Sequence, residues 1–127
     1  MIRKNMTNGE IYNIATEVAK NLTGLDLSLP VRVNFYLQKN TKEIMDIARD
    51  IESNRDAILD KYGKRNEDGS YQVNDGELDQ LNKELEDLFD LEQEVKIYEI
   101  DLAAFDGVNL TTSQVNAITF MIKEEEE

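Results

Sequence analysis

Two groups of side chains in this sequence have the types and the spacing to do chemistry. The first is cationic and aromatic: Lys61, Tyr62, Lys64 and Arg65, with Tyr71 a little further on. Ammonium and guanidinium groups hold phosphate or carboxylate, and a tyrosine ring stacks on a base or a cation. The set is therefore a candidate anion site for a nucleotide-like small molecule, to which Arg32, Arg49 and Arg55 could contribute. Cations also complement the C-terminal end of a helix, which is the plainer reason for Lys61, Lys64 and Arg65 to stand together. No glycine-rich phosphate loop accompanies them. The second group is acidic: Glu84, Glu86, Asp87, Asp90 and Glu94 form a candidate interaction surface for a basic partner. Residues 77–101 carry ten acidic side chains against two basic ones, Lys83 and Lys96. A solvated helix face explains such a run equally simply.

What is missing narrows the chemistry. The chain has no cysteine and no histidine. Disulfides, thiolate metal sites and every Ser-His, Cys-His or His-metal centre are excluded. No catalytic residue, metal site or cofactor is expected, and the chain is expected not to be an enzyme. Asn66-Glu67-Asp68-Gly69-Ser70 has the look of a calcium loop but fails on register. With Gly69 at the sixth position, the first ligand would be Lys64. A net charge of −13 repels phosphate and anionic lipid, so neither nucleic acid nor membrane is an expected partner. Met1 to Met6 hold no apolar run, no stretch has the length of a membrane span, and a cytosolic protein is expected.

These residues must be positioned by helices. At 127 residues and 40% hydrophobic, the chain is expected to be one domain, mainly α with a small β component (α+β). Its expected plan is a long antiparallel helical hairpin with short strands and a C-terminal helix. Residues 1–29 are a helix and a crossing segment, 30–93 the hairpin with a turn tip at 64–74, 94–123 a strand, a short turn and a last helix, and 124–127 an acidic tail.

The details follow from periodicity and punctuation. Thr7 and Glu10 fit a capping box opening a helix over Asn8–Asn21, with Ile11, Ile14, Ala15, Val18 and Leu22 inward and Gly24 as its stop. Leu25, Leu27 and Leu29 alternate as an extended segment. Ser28 or Leu29 caps the next helix, with Pro30 in its first turn. Leu37, Ile44, Ile51 and Ile58 recur every seven residues along it, and it ends at Tyr62-Gly63. Val31, Val33 and Phe35 alternate, so its first turns read equally as a short strand. Asp68-Gly69 turns a two-stranded tip or ordered loop. A third helix over 75–92 carries the seam Leu78, Leu81, Leu85 and Leu88, facing the second helix or, alternatively, another subunit. Phe89 widens that seam or anchors self-association. Residues 95–100 read as a strand, partnered by 25–29, by the start of 30–37 or by a second subunit. Asp101 caps a single turn ending at Phe105. Thr111 and Gln114 cap the last helix, with Val115, Ile118, Met121 and Ile122 inward.

The order of these elements resembles a family of small uncharacterised proteins encoded by phages and prophages of Gram-positive bacteria. The resemblance lies in Leu59-Asp60-Lys61-Tyr62-Gly63, in Glu67-Asp68-Gly69-Ser70-Tyr71, in the acidic helix with Leu85, and in Glu94-Val95-Lys96-Ile97 followed by Leu102, Phe105, Leu110 and Thr111. It covers about residues 30–123 and implies phage origin and the host cytosol, and it carries over no site residue. The function expected is a non-enzymatic interaction protein that self-associates as a homo-oligomer. It would mask a host protein, a defence factor among them, or sequester an anionic small molecule. The alternative is an accessory of virion or tail assembly.

Overall fold

The computed structural model of the chain describes residues 1–23 and 28–123. Strand β1 (Ile2–Thr7) turns Ile2, Lys4 and Met6 toward the interior and Arg3 and Asn5 outward. Thr7 ends it and caps α1 (Asn8–Asn21), its hydroxyl accepting the Glu10 amide at 3.1 Å. Ile11, Ala15 and Val18 are buried from α1, with Ile14 and Leu22 at the margin. Then come α2 (Val31–Tyr62), β2 (Gly63–Arg65), β3 (Tyr71–Val73), α3 (Leu78–Asp90) and β4 (Glu92–Ile97). A 3-10 turn (Leu102–Phe105) leads to α4 (Thr112–Ile118) and a second 3-10 turn (Thr119–Met121). The protein is mainly α with a small antiparallel β component.

Helix α2 is the backbone of the fold. Its inward line runs Val33, Leu37, Asn40, Ile44, Ala48, Ile51, Arg55, Ile58 and Tyr62, in steps of three or four as one helical face requires. Ile44 and Ile51 meet Ile11, Val95, Ile97, Ile118 and Met121 in the main buried cluster. Two polar residues interrupt the line, and each meets a distant tyrosine. Asn40, 1% exposed, clamps Tyr98: its amide donates to the Tyr98 carbonyl at 2.8 Å and its oxygen accepts the Tyr98 amide at 2.7 Å. Arg55 donates to the Tyr12 hydroxyl at 2.8 Å.

The hairpin tip forms as the sequence predicts. β2 and β3 pair antiparallel, Gly63 opposite Val73 and Arg65 opposite Tyr71. Gly69 takes positive φ (88°), and its amide bonds the Asn66 carbonyl at 3.0 Å. Gly63 is needed for closeness, since a Cβ there would stand 2.6 Å from the Gln72 carbonyl oxygen. Thr111 and Gln114 form the capping box that opens α4.

Several expectations are corrected. The last strand spans Glu92–Ile97, not 95–100, and its partner is β1, in antiparallel register from Ile2 opposite Ile97 to Thr7 opposite Glu92. β1 was not among the expected partners. Ile100 instead makes an isolated parallel bridge with Ile122. The first turns of α2 are helical, and Pro30 is its cap residue without a side-chain cap bond. α3 begins at Leu78, and Leu78 itself is 54% exposed, while Leu81 is buried and Leu85 and Leu88 are half-buried. Phe89 packs inward, edge-on to Tyr12 at 5.8 Å, and is no free anchor. Val115 faces outward, and Ala117 and Phe120 take the inward positions beside Ile118 and Met121. The stop at Gly24, the alternation of Leu25 and Leu27 and the acidic tail 124–127 fall outside the described residues.

Candidate interaction surface

Helix α3 presents its acids because its other face is fixed at three levels. Near the tip, Leu81 is buried at 3% exposure. In the middle, Glu84 accepts a hydrogen bond from Lys61 of α2 at 3.1 Å. At its C-terminal end Asn8, buried at the start of α1, gathers the turn into β4. The Asn8 side-chain amide donates to the Leu88 carbonyl at 2.9 Å, its backbone amide to the Leu91 carbonyl at 2.8 Å, and its side-chain oxygen accepts Gln93 at 2.6 Å. Leu88 and Phe89 pack against the main cluster on the same side.

With that face spent, Glu86, Asp87 and Asp90 are exposed, and among the described residues none has an ion pair. The other two acids of the expected surface are engaged. Glu84 is half-buried beside Lys61, and Glu94 in β4 reaches Arg3 of β1 at 3.6 Å. The last turn of α3 holds no basic residue. Asp87 and Asp90 therefore stand at the negative end of the helix dipole, each an unfavourable contact of about 0.3–1 kcal/mol. Leu91, the C-cap residue that follows them, is an apolar side chain 59% exposed.

The cationic group is brought together at the tip, where Lys61 is paired with Glu84 while Lys64 and Arg65 are exposed without an ion pair among the described residues. The Lys61 ammonium lies 5.1 Å from the Tyr62 ring centre and bonds Glu84. The Glu84 carboxylate, then the Tyr62 hydroxyl, holds Lys61 above the ordinary lysine range. The same carboxylate raises the Tyr62 phenol. Glu84 in turn is held below the ordinary carboxylate range, first by the Tyr62 hydroxyl and then by Lys61. The Arg65 guanidinium lies over the Tyr71 ring at 5.9 Å, and Tyr71 is raised by burial and by neighbouring Asp60. Lys64 lines a shallow cavity of about 350 Å³ with Gln72, Val73, Asn74 and Asp75. Tyr62 is buried and offers no open ring for a base. Arg49 pairs with Asp46, and Arg55 is held by Tyr12, Glu52 and Asp56, so neither turns to the tip.

A second surface went unseen in the sequence. At the start of α2 a guanidinium, a ring and a ring stack in layers: Arg32 lies 6.0 Å from the Tyr36 ring centre, and Tyr36 stacks on Tyr98 at 5.1 Å and 18°. Beside them Phe35 is 51% exposed, with Lys39 5.4 Å from its ring centre. The available signal was charge: between Ser28 and Lys42 there are three cations and no acid, in a chain of net charge −13.

Among the described residues, no group of three or more carboxylates is gathered to hold a metal ion, and no helix is long and apolar enough to cross a membrane. Comparison with known protein families, with curated proteins and with solved structures finds no match to this chain.

Proposed function

We propose that this protein works by binding, without catalysis: a phage- or prophage-encoded interaction protein of the host cytosol that covers a basic host protein, such as a defence factor, with the outer face of α3. The observation that carries the reading is the set Glu86, Asp87 and Asp90, exposed and without ion pairs among the described residues, in a helix end that holds no cation. Asp87 and Asp90 work against the helix dipole, and all three side chains are exposed. A local arrangement that opposes folding without return points to selection for contact with something else. A basic partner would gain both charge complementarity and the apolar contact at Leu91. The phage origin rests on the family resemblance, and the absence of histidine and cysteine supports a non-catalytic role. The cationic tip is the weaker binding surface, because Glu84 already pairs with Lys61 and the Tyr62 ring is buried.

The test is affinity capture from host lysate with the wild-type chain and with a Glu86→Gln, Asp87→Asn, Asp90→Asn variant. The wild type is expected to retain a basic protein that the variant loses, at unchanged melting temperature. Equal capture by both would refute the assignment. Mass spectrometry of purified particles separates the virion-accessory alternative, which requires the chain to be a particle component.

A further inference from the structure

We propose that chains associate head to tail, the face of Val31 and Phe35 on one copy docking against the Leu91 face of the next. The inference rests on the reading of α3's outer face as a docking surface and names a second copy as an occupant of it.

The Phe35 face is built as an anchor. Val31 and Phe35, 87% and 51% exposed, are one helical turn apart on α2 and share its outer side. The Phe35 ring is held by Lys39 above it and by the tilted Tyr36 ring at 6.3 Å, which Tyr98 stacks from behind. An exposed ring already fixed in place loses little conformational freedom on docking, as expected of a residue that dominates an interface. The rim is basic: Arg32 and Lys39 are exposed beside it, and Lys42, further along the same face, is exposed but paired with Asp46.

The complement exists on the same chain, beyond its own reach. Leu91, the C-cap of α3, is 59% exposed, and the exposed acids Glu86, Asp87, Asp90 and Glu92 all lie within five residues of it. Phe35 and Lys61 lie about 39 Å apart along α2 at about 1.5 Å per residue. From the Lys61–Glu84 contact, α3 runs back toward Leu91 by only about 10 Å. Roughly 30 Å of the α2 axis therefore separates the two faces within one copy. They can meet only between copies, as unlike surfaces, so the contact is heterologous and leaves a free face of each kind at the ends of any open assembly. A free acidic end remains available to a basic partner.

The experiment is sedimentation velocity on the full chain, the Phe35→Glu variant, the Leu91→Lys variant and an equimolar mixture of the two. The wild type is expected to self-associate, less so as salt rises. Each variant alone is expected to be monomeric, its association weakened by at least about tenfold. The mixture is expected to form a one-to-one dimer, because each variant keeps the face the other lacks. Should either variant fail to fold, Lys39→Glu paired with Asp87→Lys poses the same question by charge alone. A monomeric wild type, variants that associate like the parent, or a mixture that stays monomeric would each overturn the proposal. Capture of a basic host protein by a chain that never self-associates would sink this inference and leave the α3 reading standing; loss of capture on neutralising Glu86, Asp87 and Asp90 reports on that reading separately.

Discussion

Replacing Asn40 by alanine should be among the most damaging single changes at a polar position. Its amide donates to the Tyr98 carbonyl at 2.8 Å and its carbonyl accepts the Tyr98 amide at 2.7 Å, so one side chain serves as the missing neighbouring strand where β4 ends. Each bond contributes about 1 kcal/mol net, and a buried group left without a partner costs about 1–3 kcal/mol. Asn40→Ala strips Tyr98 of both partners at a site 1% exposed, so the expected loss is about 2–5 kcal/mol. Unfolding entropy of about 2.1 cal/mol/K per residue over this length turns a loss of about 3 kcal/mol into a fall in melting temperature of about 11 °C. Urea unfolding followed by circular dichroism reads the same loss as a lower midpoint at unchanged slope. Asn40→Asp keeps the acceptor, loses the donor and buries a charge. It should be at least as damaging at neutral pH and partly recover once acid protonates the new carboxyl. The reasoning fails if Asn40→Ala costs less than about 1 kcal/mol, or if Asn34→Ala, which removes one 3.2 Å bond to the Leu29 carbonyl, costs as much.

Two further predictions concern α3. Leu81→Ala should lose about 2–5 kcal/mol by opening a cavity under the helix, whereas Leu78→Ala, at a 54% exposed position, should change stability by no more than about 0.5 kcal/mol; equal losses would mean that the seam is packed differently. The Lys61–Glu84 contact should leave a weak signature in the pH dependence of melting. Glu84 is held below its ordinary value of 4.5, so its contribution is present above that pH and disappears as pH falls through its folded value. Lys61 is raised above 10.5, so its share is present below that pH and is lost as pH rises through its folded value. The gap in melting temperature between wild type and Glu84→Gln should therefore close on acidification and shrink with salt; a gap constant with pH would remove the contact from the account.

What could be read from the residues was what local rules determine. Thr7, Gly69 and the Thr111–Gln114 box mark ends and turns because a cap or a positive φ is satisfied within a few residues. The stripe of α2 was legible because a helix of that length repeats its inward line many times. Pairing at long range was not legible. β1 meets β4 at a long separation in sequence, and its alternation is masked because an inward position is the half-buried Lys4. Asn40 and Arg55 lie on the inward line, where a polar residue signals a distant partner without naming it. Val115 follows helical spacing but α4 is too short for spacing to fix its facing, and the 3-10 turn after it brings Phe120 inward instead. Of the candidate site residues, Glu86, Asp87 and Asp90 are exposed off the leucine seam, but Glu84 turns toward α2, and which acids stay free depended on Lys61 and Arg3, brought in by the fold. The Phe35 face escaped notice because alternation of Val31, Val33 and Phe35 suggested a strand, and in a strand all three would share one side.

The most direct test of the account is the affinity of the captured host protein for the purified chain, measured by titration calorimetry across a range of salt. The account predicts binding that weakens steeply as salt rises and is largely lost, even at low salt, in the Glu86→Gln, Asp87→Asn, Asp90→Asn variant. Binding that is indifferent to salt and unchanged in that variant would contradict it.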